Sequence, residues 1–275
     1  MLRHRLRCCS STHALRWLAA IALGAALAGC ASTGTSRTDT TQPTTASDQT
    51  DADRRAHVRL ELASAYFARG QTDTALDEVK QALVADPNLS DAYNLRGLIY
   101  ASLGDAALAE ESFRRALQLN GRDGDTMHNY GWFLCQQRRY GEAQAQFTQA
   151  LAQPQYRAQP RTLLAQGVCQ ARAGQWEEAE RTLMRAYELD PSSPVTAVNL
   201  SEVLYRRGQY ERARFYIGRV NTQRDQSNAQ TLWLAARIEN KLGNTQGTQQ
   251  YGNELRNRFP QAPEALAYEG GRFDE

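Results

Sequence analysis

A frame of about 34 residues recurs along this chain, and few sequence features constrain a fold so tightly. It is clearest from Ser90 to Asp123, where Tyr93, Gly97, Leu98, Tyr100, Ala109, Phe113, Ala116 and Leu119 return at helical spacing in two bouts parted by Leu103-Gly104-Asp105. That spacing predicts a helix, a tight turn and a second helix. Gly97 and Ala109 are small where two antiparallel helices approach, and Tyr100 and Phe113 fill the space beside them. With Gly97, Tyr100, Ala109, Phe113 and Ala116 as key positions, the same register gives Ala63, Tyr66, Ala75, Val79 and Ala82 before it. After it come Gly131, Leu134, Ala143, Phe147 and Ala150; Gly167, Gln170, Ala179, Leu183 and Ala186; and Ser201, Leu204, Ala213, Ile217 and Val220. A last frame is worn, with Ala236, Glu239, Thr248, Gly252 and Leu255. The predicted repeats are 56–89, 90–123, 124–157, 160–193, 194–227 and 229–262. Such a unit cannot bury its apolar face alone, so the frames must stack on one another.

The unit resembles the tetratricopeptide repeat (TPR). The expected fold is all-α: a right-handed superhelical solenoid of about six TPR helix-turn-helix repeats over residues 54–262, with 263–275 as a short C-terminal tail. Gly70, Gly104, Gly174, Gly208 and Gly243 mark the turns within repeats, and the third repeat replaces this with Arg138-Arg139-Tyr140-Gly141. Asp86-Pro87-Asn88, Asp190-Pro191-Ser192 and Phe259-Pro260 mark junctions, because proline is tolerated in a helix's first turn and not in its interior. Two extra residues follow the third repeat, after Gln153-Pro154-Gln155-Tyr156, where a local bend is expected.

Residues 1–29 are of another kind. Arg3, Arg5, Arg7 and Arg16 form a basic opening, and Trp17–Ala28 is an unbroken apolar run. The run falls short of the roughly 20 residues that span a bilayer and suits the core of a secretory signal peptide. Leu27-Ala28-Gly29-Cys30 then resembles the lipobox of bacterial lipoproteins, which implies that Cys30 is diacylated, carries palmitate and becomes the first mature residue. Ala31 after it is similar to lipoproteins sorted to the outer membrane, so the expected site is the periplasmic face of that membrane, lipid-anchored. Residues 30–53 are rich in Ser, Thr, Asp and Gln, a composition expected to stay disordered as a tether. Four of the 32 cationic residues and none of the 30 acidic ones precede Cys30, which leaves 28 against 30, a formal net of −2. The basic character belongs to the precursor and gives no case for nucleic acid.

Nothing in the residues points to catalysis. Only His57 and His128 follow Cys30, neither in metal-ligand spacing, and no phosphate loop, Gly-x-Ser-x-Gly element or Cys-x-x-Cys is present. No catalytic residue, metal, cofactor or small-molecule substrate is expected. Glu110, Glu111, Glu177, Glu178 and Glu180 read as solvated helix-face charges. Cys135 and Cys169 sit late in the first helices of consecutive repeats, which neighbour each other in such a stack. They are either a disulfide, if their Cα atoms lie within about 7 Å, or two buried thiols.

Binding is therefore expected to reside on the inner face. Positions two, five, nine and twelve of each repeat share one side of its first helix. They read His57, Leu60, Ser64, Phe67; Asp91, Asn94, Leu98, Ala101; Asp125, His128, Trp132, Cys135; Arg161, Leu164, Val168, Ala171; and Val195, Val198, Glu202, Tyr205. So many large apolar groups on one stripe suggest a groove for an extended or helical segment. Leu60, Phe67, Asn94, Leu98, His128, Trp132, Leu164 and Val168 are the candidate groove residues. Packing between repeats is the competing role, above all for Leu164 and Val195.

Asn129-Tyr130-Gly131-Trp132-Phe133-Leu134-Cys135, with Arg139-Tyr140, Ala143, Pro154, Tyr156 and Gly167-Val168-Cys169, resembles the type IV pilus biogenesis and stability lipoproteins, the PilF/PilW family. Leu232-Trp233-Leu234, Arg237-Ile238-Glu239 and Leu255-Arg256-Asn257-Arg258-Phe259-Pro260 add to the likeness, which runs from about Arg54 to Pro260. The resemblance implies an outer-membrane pilotin: a lipoprotein of six TPRs that binds subunits of the type IV pilus secretin and promotes their outer-membrane localisation and multimerisation. Such a protein supports pilus extension and twitching motility. By the same resemblance Cys30 carries the lipid, and Cys135 and Cys169 match the family's cysteine pair. Arg59, Gly121 and the worn sixth frame depart from the repeat pattern. Two other roles are compatible with the residues: an envelope scaffold or adaptor for outer-membrane protein assembly or cell-wall enzymes, and thiol exchange by the cysteine pair.

Overall fold

The computed structural model describes residues 50–273; the expected signal peptide, Cys30 and residues 31–49 of the expected tether lie outside them. Thirteen helices and no strand occur among the described residues. They pair as α1 (Asp51–Ala68) with α2 (Thr72–Ala85), α3 (Ser90–Leu103) with α4 (Ala106–Leu119), and α5 (Gly124–Gln136) with α6 (Tyr140–Leu151). Then come α7 (Gln159–Arg172) with α8 (Trp176–Leu189), α9 (Pro194–Arg206) with α10 (Tyr210–Asn221), and α11 (Ala229–Lys241) with α12 (Thr245–Arg258). A final α13 (Pro263–Glu269) follows. The odd-numbered first helices touch one another along the whole series, whereas the second helices touch only first helices. A row in contact beside a row that is not makes the stack curve, with the first helices lining its concave side.

Each pair closes by setting a small residue under a large one. A β-carbon on Gly97 would stand 2.7 Å from the Phe113 ring, and one on Gly167 2.6 Å from Leu183. Phe113, Phe147, Leu183 and Ile217, at one key position, are wholly or almost wholly buried. Truncating such a side chain to alanine costs about 2–5 kcal/mol. The turn between helices needs a left-handed residue, and Gly70, Gly104, Gly174, Gly208 and Gly243 supply it with φ from 70 to 81°. In the third repeat this position is Arg138, with φ 59°, and not the nearby Gly141. At the junctions an Asx side chain organises the loop: Asp86, Asn120 and Asp190 each accept a hydrogen bond from the backbone N–H two residues on.

Both expected ends are revised. The first helix begins at Asp51, inside the segment assigned to the tether, because Thr50 and Asp53 form a capping box: Thr50 Oγ1 accepts from Asp53 N at 3.1 Å and Asp53 accepts from Thr50 N at 2.9 Å. The expected tail is largely the helix α13, whose Ala265 is buried against Leu232 and Leu255. Where other repeats carry a large residue, the sixth has Gly252, and the Tyr268 ring of α13 lies where its β-carbon would be. The worn repeat is thus completed from outside itself.

The helix-face glutamates are also revised in part. Glu110 and Glu180 occupy equivalent places in the second and fourth repeats, and their side chains are only 21% and 12% exposed. Glu110 accepts from Arg139, Tyr130 and Arg114; Glu180 accepts from Gln209 and pairs with Arg207 and Arg212. The equivalent Gln144 accepts from Gln166 and Gln170, and the equivalent Arg214 pairs with Glu239 at 3.9 Å. One register position therefore staples each repeat from the second to the fifth to the next. The hydrogen bond from Arg139 holds the Glu110 carboxyl below its usual range. Burial pushes Glu180 upward, yet the bonds from Arg212 and Arg207 outweigh it and leave it lowered. Glu111, Glu177 and Glu178 are largely exposed, as expected.

Candidate protein-binding groove

The stripe of positions two, five, nine and twelve lies on the first helices and so on the concave side. Part of it closes into an open apolar cavity of about 360 Å³ lined by His128, Trp132, Arg161, Leu164, Ala165, Val168, Val195 and Asn199. Four of the eight candidate groove residues meet there: His128, Trp132, Leu164 and Val168. The other four lie elsewhere on the stripe. Leu60 and Phe67 pack half-buried against the core of the first two repeats, and Leu98 packs beside Phe113. Asn94 accepts a hydrogen bond from Asn129 at 3.1 Å, which ties adjacent first helices together. Asn94 stays half-buried on the stripe.

His128 is likewise committed. It is buried, its Nδ1 stands 2.8 Å from Thr162 Oγ1, and that oxygen is 2.6 Å from the Tyr156 hydroxyl. The residues after α6 fold back so that the Tyr156 ring covers Gly124, which seats the irregular junction between the third and fourth repeats. Burial, helped by the charge of Arg161, pushes the His128 imidazole down to about 4, so it is neutral near pH 7. It shapes the cavity wall without charging it. Arg161 is paired with Asp125 at 3.0 Å at the rim, and the Arg172 guanidinium lies 5.0 Å from the centroid of the Trp132 ring. The cavity can take an aliphatic or aromatic side chain from a passing segment, with cations around its mouth.

Val195 is 56% exposed and so faces solvent over the cavity instead of packing repeats. Ala165 and Asn199 were not on the stripe. Both stand at position six of their repeats, where a small or polar residue leaves room beside position five. Cys135 and Cys169 form a disulfide between α5 and α7, Cα to Cα 5.8 Å, in the core cluster against which Trp132 and Ala165 of the cavity wall pack.

Helix pairs of this size, stacked with a concave groove, define a tetratricopeptide-repeat protein. Tetratricopeptide-repeat family models match residues 60–123, 134–194 and 170–238. The chain is similar to the crystal structure of PilW, a widely conserved type IV pilus biogenesis factor, at 31% identity and TM-score 0.72 over 77% of this chain and 97% of that one. It is 27% identical over 210 residues to the type IV pilus assembly protein PilF of Pseudomonas aeruginosa, covering 76% of this chain and 82% of that protein. The solved structure of P. aeruginosa PilF superposes with TM-score 0.70 at 24% identity, over 81% of this chain and all of the other. The chain belongs to the PilF/PilW family of tetratricopeptide-repeat proteins.

Proposed function

We propose that this protein is a type IV pilus biogenesis factor acting as a pilotin. Its groove captures a segment of a secretin subunit, a lipid on Cys30 holds it at the periplasmic face of the outer membrane, and capture there promotes secretin localisation and multimerisation. The apolar cavity at Trp132, Leu164, Val168 and Val195 carries this reading, because it offers a client side chain a seat on the concave face. Membership of a family with PilW and PilF, named for pilus biogenesis and assembly, supplies the process. The mechanism is binding alone: an anchored groove raises the effective concentration of its client at one membrane.

The test is fractionation of the secretin, probed for heat-resistant multimers, together with surface piliation, in cells with the gene deleted, with Cys30→Ser and with Val195→Asp. Val195 is exposed, so an aspartate there disturbs the groove and not the fold. Loss of outer-membrane multimers and pili in all three supports the reading. Normal multimers and pili in the deletion overturn it in favour of a general envelope scaffold.

A further inference from the structure

In the sixth repeat, stripe positions five and nine are Trp233 and Arg237, and they are not open. After α13 the chain turns at Gly271, φ 65°, and runs back onto them. The Phe273 ring lies 5.3 Å from that of Trp233, and Tyr268 meets it edge-on at 6.0 Å. Arg237 Nε donates to the Phe273 carbonyl at 3.2 Å. Arg237 is only 8% exposed, and its guanidinium stands 4.6 Å from the Tyr205 ring, position twelve of the preceding repeat. The register that lines an open cavity in repeats three to five is thus filled, in repeat six, by a segment of the same chain. It is held as peptide grooves hold their ligands, with an aromatic side chain on an aromatic wall and a backbone carbonyl taken by a side-chain donor.

We propose that Trp233 and Arg237 form a second client subsite at the far end of the groove, selective for an aromatic residue in an extended segment, and that Phe273 is its built-in occupant, displaced when a client engages. The inference rests on the concave face being the client face, and not on the client being a secretin. The attachments of the two parts of the tail differ in kind. Helix α13 is fixed by buried Ala265 and by Tyr268 on Gly252. Phe273 hangs beyond Gly270-Gly271 and stays half-exposed. Asp274 and Glu275 follow it in sequence, and the buried guanidinium favours clients whose aromatic residue is likewise trailed by acidic ones. An occupant tethered by so few residues competes at an effective concentration on the order of millimolar. A client therefore fills this subsite only when another part of it is already held, which makes the two ends of the groove act together.

The probe is a peptide of residues 270–275, Gly-Gly-Arg-Phe-Asp-Glu, titrated by ligand-observed NMR into the unchanged chain, Phe273→Ala, and Phe273→Ala with Trp233→Ala. The single variant should bind it with a Kd of about 0.1 mM or tighter, so that a millimolar built-in occupant makes the unchanged chain about tenfold weaker or worse, and the double variant should not bind it at all. Equal binding by the first two, or none by Phe273→Ala, overturns the inference. A chain stopped after Gly270 should behave as Phe273→Ala does. If it loses its cooperative unfolding instead, Phe273 is a structural cap and the inference falls. No secretin enters the measurement, so its outcome is separate from that of the pilotin test.

Discussion

Glu110 and Arg139, 29 residues apart, hold each other by two hydrogen bonds of 2.6 and 3.1 Å across the junction of the second and third repeats. Removing the carboxylate leaves the Tyr130 hydroxyl, on a buried residue, without its acceptor and Arg139, whose side chain is 33% exposed, short of one. Glu110→Ala should therefore destabilise the domain by about 2 kcal/mol. The neighbouring Glu111→Ala, whose side chain is 67% exposed, should cost about 0.5 kcal/mol or less. Urea unfolding of the two variants side by side checks the contrast.

His128 gives the stability a defined acid limb. Its folded-state pKa, about 4, lies below the ordinary 6.5 of the unfolded chain. The folded state therefore holds the full benefit of a neutral imidazole above pH 6.5 and loses it as the pH falls toward 4, because the unfolded chain takes up the proton first. The loss over that window amounts to roughly 3 kcal/mol. His128→Gln should flatten the fall in Tm between pH 6.5 and 4 relative to the unchanged protein. Parallel curves over that interval would show that the imidazole does not set it.

Arg138 should be improvable. It bears a side chain at φ 59°, where the other five repeats place glycine. Arg138→Gly relieves left-handed strain of about 1–2 kcal/mol and restores part of it as unfolded-chain entropy. The expected gain is about 0.5 kcal/mol, read as a higher urea midpoint at unchanged slope.

The disulfide closes a loop of 34 residues, and its loss should cost about 3–4 kcal/mol in the chain-entropy account. Hydrogen exchange in dithiothreitol should show the loss concentrated in α5 to α7 and fading toward both ends, since repeats touch mainly their neighbours. A uniform loss across all repeats would contradict this.

The helix pairs were legible in the sequence because one rule, small under large, repeats at fixed spacing; Gly97 with Phe113 announces Gly167 with Leu183. Pairings that leave the register were not. Gly252 looks like decay until Tyr268 is seen upon it, and nothing local to either residue signals the other. The start of α1 was hidden in a Ser/Thr-rich stretch, where only the spacing of Thr50 and Asp53 betrays a cap. Glu110, Gln144, Glu180 and Arg214 share a register position whose polar character was visible once the frames were aligned, but their partners come from the next repeat. Half of the candidate groove residues converge on one cavity. The stripe shows which residues share a face, and it does not show which are engaged by neighbours, as Asn94 is by Asn129 and His128 by Thr162.

The contact between successive first helices, and the lack of it between successive second helices, makes the molecule a spring with an unequal cross-section. Bending that opens the outer row stretches nothing there, while the inner row sets the radius. Cys135 and Cys169 bridge the inner row at mid-length, so that joint cannot hinge open. Flexing is left to the other junctions, so the cavity wall that Trp132 and Leu164 form keeps its spacing, and the side formed by Val195 and Asn199 on the unbridged α9 is the one that moves.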